Sequence, residues 1–268
     1  MDLTDRTVVL TGATDGIGRA TALQLAGRVG HLILHGPQPR GDVAGLLDGL
    51  AGRVTYLQAD YCHLDQVAGL AADVKVAATG RVDLLINNAA RPGAPQRERT
   101  ADGIEATLQT NYLSTVVLCT TLRNFVGRVL NIASATHLTV DLGLDDLGLA
   151  SGGYSAVTAY ARSKLAIVTY SCWLAGRLDG ERAQVASMHP GVIRSRLLSQ
   201  MFSIEGAPPE RGAANILHVA RLPGSINGRY FDEREPTRPS PTAEDPAVQR
   251  ELLDRTADLL APIGIDPR

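Results

Sequence analysis

Thr11-Gly12-Ala13-Thr14-Asp15-Gly16-Ile17-Gly18 joins a short β-branched run, residues 7–11, to a segment where Gly18, Ala22, Leu25, Ala26 and Val29 share one helical face. Glycines are needed where a chain turns tightly or where backbone must approach a phosphate. The start of a helix then offers unpaired N–H groups and the positive end of its dipole to an anion. A glycine cluster alone also fits a plain strand–helix turn. This one lies between a strand and a helix at the start of an alternating pattern, the context a dinucleotide site requires.

Outward from this turn, short apolar runs recur at 31–35, 53–58, 83–87, 128–133, 184–189 and 226–231. They are apolar on both faces, as strands of a buried parallel sheet must be. Segments of helical period separate them; Leu165, Val168, Cys172 and Ala175 mark one such face. The alternation predicts an α/β, doubly wound parallel sheet of about seven strands with helices on both faces. Residues 102–122 read as one helix. Two stretches break the rhythm, the Gly-rich 135–155 and the Pro- and charge-rich 232–246, and both are expected to be surface excursions.

The 268 residues fit one domain, 1–268, and contain no repeat or clear linker. With 44% hydrophobic but only 4% aromatic residues, the core must rely on Ala, Val, Leu and Ile. A formal net charge of −2 gives no general attraction for nucleic acid or anionic membrane. No apolar run is long enough to span a membrane, and the acidic start Met1-Asp2-Leu3-Thr4-Asp5 lacks the form of a secretory signal. Cys62, Cys119 and Cys172 form neither a disulfide nor a zinc pattern, so no metal is expected. Reduced thiols and a cytoplasmic location are the resulting expectation.

The second strand ends His35-Gly36-Pro37-Gln38-Pro39-Arg40, without the acid that often holds the adenosine ribose hydroxyls of a bound dinucleotide. A 2′-phosphate would meet no repulsion there, and Arg19 and Arg40 are candidate partners. NADP is therefore the preferred cofactor and NAD the alternative. Both arginines also fit a merely solvated role.

Tyr160-Ala161-Arg162-Ser163-Lys164 places a phenol and an amine one helical turn apart. A nearby ammonium favours the phenolate, which otherwise forms only near pH ~10. Lys164 is one of only two lysines, with Lys75, among 26 basic residues. Ser134 follows the strand 128–133, and Asn87-Asn88-Ala89-Ala90 ends the strand 83–87, both at the carboxyl rim where doubly wound sheets bind ligands. Asn111, a polar amide in an apolar helix, needs partners from backbone or water.

Together these residues resemble the short-chain dehydrogenase/reductase family over nearly the whole chain. Gly12, Gly16 and Gly18 match its TGxxxGIG turn. Asp60 matches its adenine-contacting acid, and Asn87-Asn88-Ala89-Ala90 its NNAG motif, with alanine in the last place. Asn111, Ser134, Tyr160 and Lys164 match its catalytic tetrad. His189-Pro190-Gly191 matches the segment facing the nicotinamide, and Ser195 stands where a threonine commonly binds the cofactor amide. The resemblance implies a Rossmann fold. It also implies cofactor contacts from Gly12, Thr14, Asp15, Gly16, Ile17, Gly18, Arg40, Asp60, Tyr61, Asn88, Ala89, Ala90, Tyr160, Lys164, Pro190, Gly191, Val192 and Ser195. Tyr160 would be the acid/base, Ser134 a hydrogen-bond donor to the reacting oxygen, Lys164 the group that lowers the tyrosine pKa, and Asn111 the holder of a relay water.

Asp102-Gly103-Ile104-Glu105, the long gap from Ser134 to Tyr160 and Gly228-Arg229-Tyr230-Phe231 make the chain most similar to the retinol-dehydrogenase and WW-domain-oxidoreductase branch. Such relatives usually favour NADP(H) through an arginine after the second strand. Pro37 takes that place here, leaving Arg40 as a substitute. The expected activity is interconversion of a secondary alcohol with an aldehyde or ketone by hydride transfer. A nonenzymatic dinucleotide-sensing or partner-binding protein and a redox-neutral epimerase or cyclase on the same fold are the alternatives. Leu138, Val140, Leu142, Leu144, Leu197, Leu198, Met201 and Phe202, in the segments 136–157 and 195–210, suggest a moderately lipophilic substrate. They fit loop packing equally well. The second segment is a candidate lid. Relatives often pair through the helices holding Asn111 and Tyr160, which implies a homodimer or homotetramer unless the insertion before Tyr160 blocks that face.

Overall fold

The computed structural model describes residues 1–180 and 182–268. Its strands are β1 (Thr7–Leu10), β2 (His31–Gly36), β3 (Val54–Gln58), β4 (Val82–Asn87), β5 (Val126–Ile132), β6 (Gln184–His189), β7 (Tyr230–Asp232) and β8 (Glu235–Thr237). They form one sheet in the order β3-β2-β1-β4-β5-β6-β7-β8. All neighbours are parallel except β7 and β8. The order reverses between β1 and β4, and a crevice opens at such a switch point, outside the carboxyl ends of the strands.

The helices are α1 (Gly16–Leu25), α2 (Ala44–Leu47), α3 (Leu64–Ala78), α4 (Ala106–Leu108), α5 (Ser114–Leu122), α6 (Ala156–Ala175), α7 (Arg196–Met201), α8 (Pro209–Arg221), α9 (Pro241–Glu244) and α10 (Pro246–Leu260). Alternate strand residues feed two cores. Val9, Ile33, Leu85 and Val129 pack with α3, α5 and α6. Val8, Leu32, Leu84 and Leu130 pack with Ala22 and Leu25 of α1 and Ile216 and Val219 of α8. Burying such a side chain contributes about 1.5–3 kcal/mol, which is why the strands read apolar on both faces. Leu252, Leu253 and Leu260 of α10 seat in the same core as Tyr170 and Trp173 of α6. Thr256 of α10 shares a 2.7 Å hydrogen bond with the buried Tyr112 hydroxyl.

Four expectations change. The sheet has eight strands rather than about seven. The extra one, β8, lies inside 232–246, so that stretch is partly sheet. The last parallel strand starts at Tyr230 and not at 226, because Gly228 turns with φ of 73° just before it. The helical stretch begins at Ala106, where the Glu105 carboxylate accepts from the N–H groups of Thr107 and Leu108, and it contains a five-residue π-turn, Gln109–Leu113. Finally, 135–155 is not all surface: His137, Leu142, Leu147 and Leu149 are buried.

Candidate active site

The crevice at the switch point holds about 600 Å³ and is bounded by the glycine turn, the ends of β2 to β6, and α7. Its floor is set by backbone geometry. Gly12 has a φ of 64°, and a Cβ there would come within 2.7 Å of Ala89 Cα. A Cβ on Gly18 would come within 1.9 Å of the Gly12 carbonyl oxygen. Only glycine fits either position. Asp15 caps α1, its carboxylate accepting from the Gly16 N–H at 2.8 Å.

The turn is tied to the β4 rim by side chains. The Asn88 amide donates to the carbonyls of Thr11 at 2.9 Å and Gly12 at 3.1 Å. The Thr11 hydroxyl oxygen accepts from the N–H groups of Asn88 and Ala89, each at 3.0 Å. Asn88 is thus a brace for the turn as well as a wall of the crevice. Sequence reading missed Thr11, although a hydroxyl residue directly before the first glycine was the available signal.

It also missed His35. This ring stacks on Tyr61, centroids 4.5 Å apart, and lines the crevice. Its Nε2 bonds the Ala59 carbonyl at 3.0 Å while its Nδ1 faces the Gly12 N–H at 3.4 Å. An N–H can only donate, so the ring is neutral with its proton on Nε2. Burial agrees, lowering its pKa to about 4.

Ser134, Tyr160 and Lys164 meet in the crevice. Ser134 stands just beyond β5 in extended backbone, at the head of a 3₁₀ turn, Ala135–Thr139. Tyr160 and Lys164 come from the first turns of α6, which Ser155 caps by accepting from the Thr158 N–H at 3.0 Å. The Lys164 ammonium lies 5.5 Å from the Tyr160 ring centroid and donates to the Ile132 carbonyl at 2.9 Å. Both side chains are buried, and burial dominates their chemistry. It pushes the phenol up to about 12, with the neighbouring Ser134 hydroxyl pulling the other way. It brings the amine down to about 7. The expectation that Lys164 already makes the phenol acidic is therefore corrected: desolvation drives both groups toward their neutral forms.

Asn111 does not face the crevice, and its amide has no proton left for a water. Nδ2 donates to the Arg91 carbonyl at 3.1 Å and to Ser163 Oγ at 3.0 Å, while Oδ1 accepts from the Arg91 N–H at 2.8 Å. It pins the loop after β4 to α6. Arg40 is also misplaced as a crevice residue. It is exposed at the start of a 3₁₀ turn, Arg40–Val43, after Pro39, and of residues 35–40 only His35, Pro37 and Gln38 line the cavity. The other expected cofactor residues all border it: Gly12, Thr14, Asp15, Gly16, Ile17, Gly18, Asp60, Tyr61, Asn88, Ala89, Ala90, Pro190, Gly191, Val192 and Ser195.

The apolar set divides. Leu197, Leu198 and Phe202 line the crevice, together with Ile193 and Ile204. Leu142 is core, Val140 and Leu144 pack against it, and Leu138 is 58% exposed.

A glycine cradle braced by Asn88 and a tyrosine–lysine pair in one cleft are joined by a direct sequence correspondence. The short chain dehydrogenase profile matches residues 6–205. The chain belongs to this family. As a short-chain dehydrogenase it is 32% identical over 281 residues to human retinol dehydrogenase 13, an alignment covering 95% of this chain and 84% of that protein. Human polyprenol dehydrogenase is 28% identical, with 97% and 87% covered. Among solved structures, an uncharacterized protein from Mycobacterium Paratuberculosis superposes with a TM-score of 0.82 at 27% identity, covering 97% of this chain and 96% of that one. A short chain dehydrogenase from Burkholderia cenocepacia J2315 in complex with NADP shares the fold, with a TM-score of 0.66 at 24% identity, covering 87% of this chain and 97% of that one. This short-chain dehydrogenase is an NAD(P)-dependent oxidoreductase of the retinol-dehydrogenase-like branch.

Proposed function

We propose that this enzyme interconverts a moderately lipophilic alcohol with its aldehyde or ketone, using Tyr160 as the acid/base. The convergence of Ser134, Tyr160 and Lys164 on one dinucleotide-sized crevice carries the reading. The cradle fits a dinucleotide, because Gly12 and Gly18 leave bare backbone where any side chain would intrude. The bound nicotinamide supplies or accepts the hydride. Gly12, Thr14, Asp15, Gly16, Ile17 and Gly18 would hold its phosphates, Asp60 and Tyr61 the adenine end, and Asn88 to Ala90, Pro190 to Val192 and Ser195 the nicotinamide end.

In reduction, the Tyr160 hydroxyl gives its proton to the carbonyl oxygen, and in oxidation the phenolate takes it back. A pKa near 12 keeps that proton in place until charge develops on the substrate. Ser134 donates to the same oxygen, stabilising the developing charge. In its cationic form, which burial disfavours but does not exclude near pH 7, Lys164 favours the phenolate. Asn111 acts one step back by fixing the Arg91 loop.

NADP(H) is the proposed preference, because residues 35–40 carry no carboxylate to repel a 2′-phosphate. Arg40 gives this no support. Titrating NADPH and NADH against protein fluorescence checks the point; tighter NADH binding overturns it. Leu197, Leu198 and Phe202 favour a lipophilic substrate and make α7 a lid. Protection of 195–210 from protease on cofactor binding is the expected sign. Residues 1–268 are read as one domain in the cytoplasm. Among the described residues no helix is long and apolar enough to cross a membrane. Pairing through α6 would have to displace α9 and α10, so a homodimer or homotetramer needs another face, which sedimentation can test. The decisive assay is reduction of a straight-chain aldehyde series from butanal to dodecanal, with NADPH and NADH followed optically. Cofactor binding without turnover of this series or of matched ketones and alcohols would overturn the proposal.

A further inference from the structure

His137 has no exposed surface, yet it is a polar ring three residues beyond Ser134. Its Nδ1 lies 2.8 Å from the Ser134 carbonyl oxygen, which can only accept. Its Nε2 lies 3.2 Å from the Ser240 backbone nitrogen, which can only donate. One protonation state satisfies both contacts: a neutral ring with its proton on Nδ1. A charged ring would set two donors against each other at Ser240. The ring also packs on Tyr230 of β7, centroids 4.7 Å apart. Burial lowers its pKa, against which the hydrogen bond to the Ser134 carbonyl and then the charge of Asp232 of β7 raise it; His189 of β6 also lies within electrostatic reach of this ring.

These contacts join two parts of the chain more than a hundred residues apart. One is the loop that carries the Ser134 hydroxyl beside Tyr160. The other is the strap after β8, held at Ser240. The Ser134 carbonyl also accepts from the His137 backbone N–H at 3.1 Å, so the serine is gripped at its backbone from two directions. Its hydroxyl meanwhile accepts from the Thr136 N–H at 3.3 Å. Where that hydroxyl sits therefore follows from where the carbonyl is held.

We propose that His137 is a positioning residue: its ring clamps the backbone of Ser134 to the strap at Ser240 and so sets the serine hydroxyl against Tyr160. The proposal rests on the reading that Ser134 serves the reaction. It assigns the segment 232–246, remote in sequence, a part in holding the crevice together.

Two measurements test it. Nitrogen NMR of the imidazoles should find His137 neutral at pH 7 with the proton on Nδ1; the Nε2–H form, or a charged ring, overturns the clamp. The second is a double-mutant cycle, measured on the fastest-reduced aldehyde of the butanal-to-dodecanal series. His137→Ala should lower kcat about tenfold or more while the NADPH Kd stays within about threefold. His137→Asn, whose amide can still donate to the Ser134 carbonyl, should recover most of that loss, although it cannot replace the packing on Tyr230. Adding His137→Ala to Ser134→Ala should cost almost nothing more, because residues acting as one unit are not additive. Full multiplication of the two losses overturns the inference and leaves Ser134 in its role. A Ser134→Ala enzyme with normal kcat overturns both. Ser240→Pro breaks the clamp from the strap side and leaves the His137 side chain in the sequence: the φ of −53° at Ser240 suits proline, whose ring puts Cδ in place of the N–H that meets Nε2 and also removes the serine hydroxyl. It should lower kcat by a few-fold with Kd unchanged, and an unaltered kcat counts against the clamp.

Discussion

The two halves of the crevice are built differently. On the nucleotide side, Gly12, Gly18, Asn88, Thr11 and His35 are fixed by bare backbone and by hydrogen bonds that admit one arrangement. On the substrate side, Leu197, Leu198, Phe202 and Ile204 stand on a six-residue helix and the loop after it, and Ile204 is 55% exposed. The ion pair joining this half to the glycine turn, Arg196 to Asp15 at 3.6 Å, is largely solvent-exposed. Pairs of that kind contribute about 0–1 kcal/mol. The contrast suits an enzyme that must hold one ligand in a fixed pose and admit another through a movable wall.

Five substitutions would break or sharpen this contrast. The largest effect is expected where the halves meet. Tyr160→Phe should lower kcat by about a thousandfold, within the span known for general acids, and leave the NADPH Kd unchanged. Stopped-flow turnover beside equilibrium titration reads both, and near-normal kcat would remove the phenol from the mechanism.

Next is the rigid half. Gly18→Ala drives a methyl into the Gly12 carbonyl. It should weaken NADPH binding by about a hundredfold and destabilise the fold by about 1–3 kcal/mol, the usual cost of overpacking. Calorimetry and urea melts check this. Binding within a factor of two of wild type would mean that the turn is not the phosphate cradle.

Lys164 comes third. Its folded pKa of about 7 lies below its ordinary 10.5, so between those values the unfolded chain binds more protons. Stability must then rise with pH from 7 to 10.5. Lys164→Met should flatten that rise and stabilise the fold by about 1–3 kcal/mol near pH 7, as often happens when a buried charge gives way to an apolar side chain. It should also abolish most turnover. Because the chain has only two lysines, a labelled lysine spectrum can be assigned by the Lys164→Met variant, and the Lys164 resonance should titrate near 7. A Lys164 resonance titrating near its ordinary 10.5 would contradict the burial of this amine.

The smallest effect belongs to the loose half. Leu198→Ala and Phe202→Ala should each raise KM by less than about tenfold, the worth of a few methylenes in an apolar pocket. Tm and cofactor Kd should hold, and a collapse of cofactor binding would erase the distinction between the halves.

The same division explains what could be read from the sequence. The glycine turn was legible because its demands are local: positive φ and bare backbone fall on particular residues. The Tyr160–Lys164 pair was legible because helical period fixes which positions share a face. Arg40 was not, because the turn after Pro39 decides where it points. Asn111 was not, because its partners, the Arg91 backbone and Ser163, come from distant elements. The raised pKa of Tyr160 and the lowered one of Lys164 escaped for a related reason. Spacing reveals proximity, whereas burial depends on the assembled fold. His35 and His137 owe their roles to contacts across strands or to the strap, and nothing nearby in the chain announces those contacts.

The seat of α10 on α6 has a consequence for synthesis. Tyr160 and Lys164 emerge from the ribosome about ninety to a hundred residues before Leu252, Leu253 and Leu260, which cover the outer side of their helix. A nascent chain halted at residue 245 would carry every residue proposed for the chemistry while leaving Tyr170 and Trp173 without that cover. Such an intermediate exposes apolar surface of the kind that chaperones engage. The order of translation thus delays the final shelter of the helix that bears the proton-transfer pair until α10 has been made.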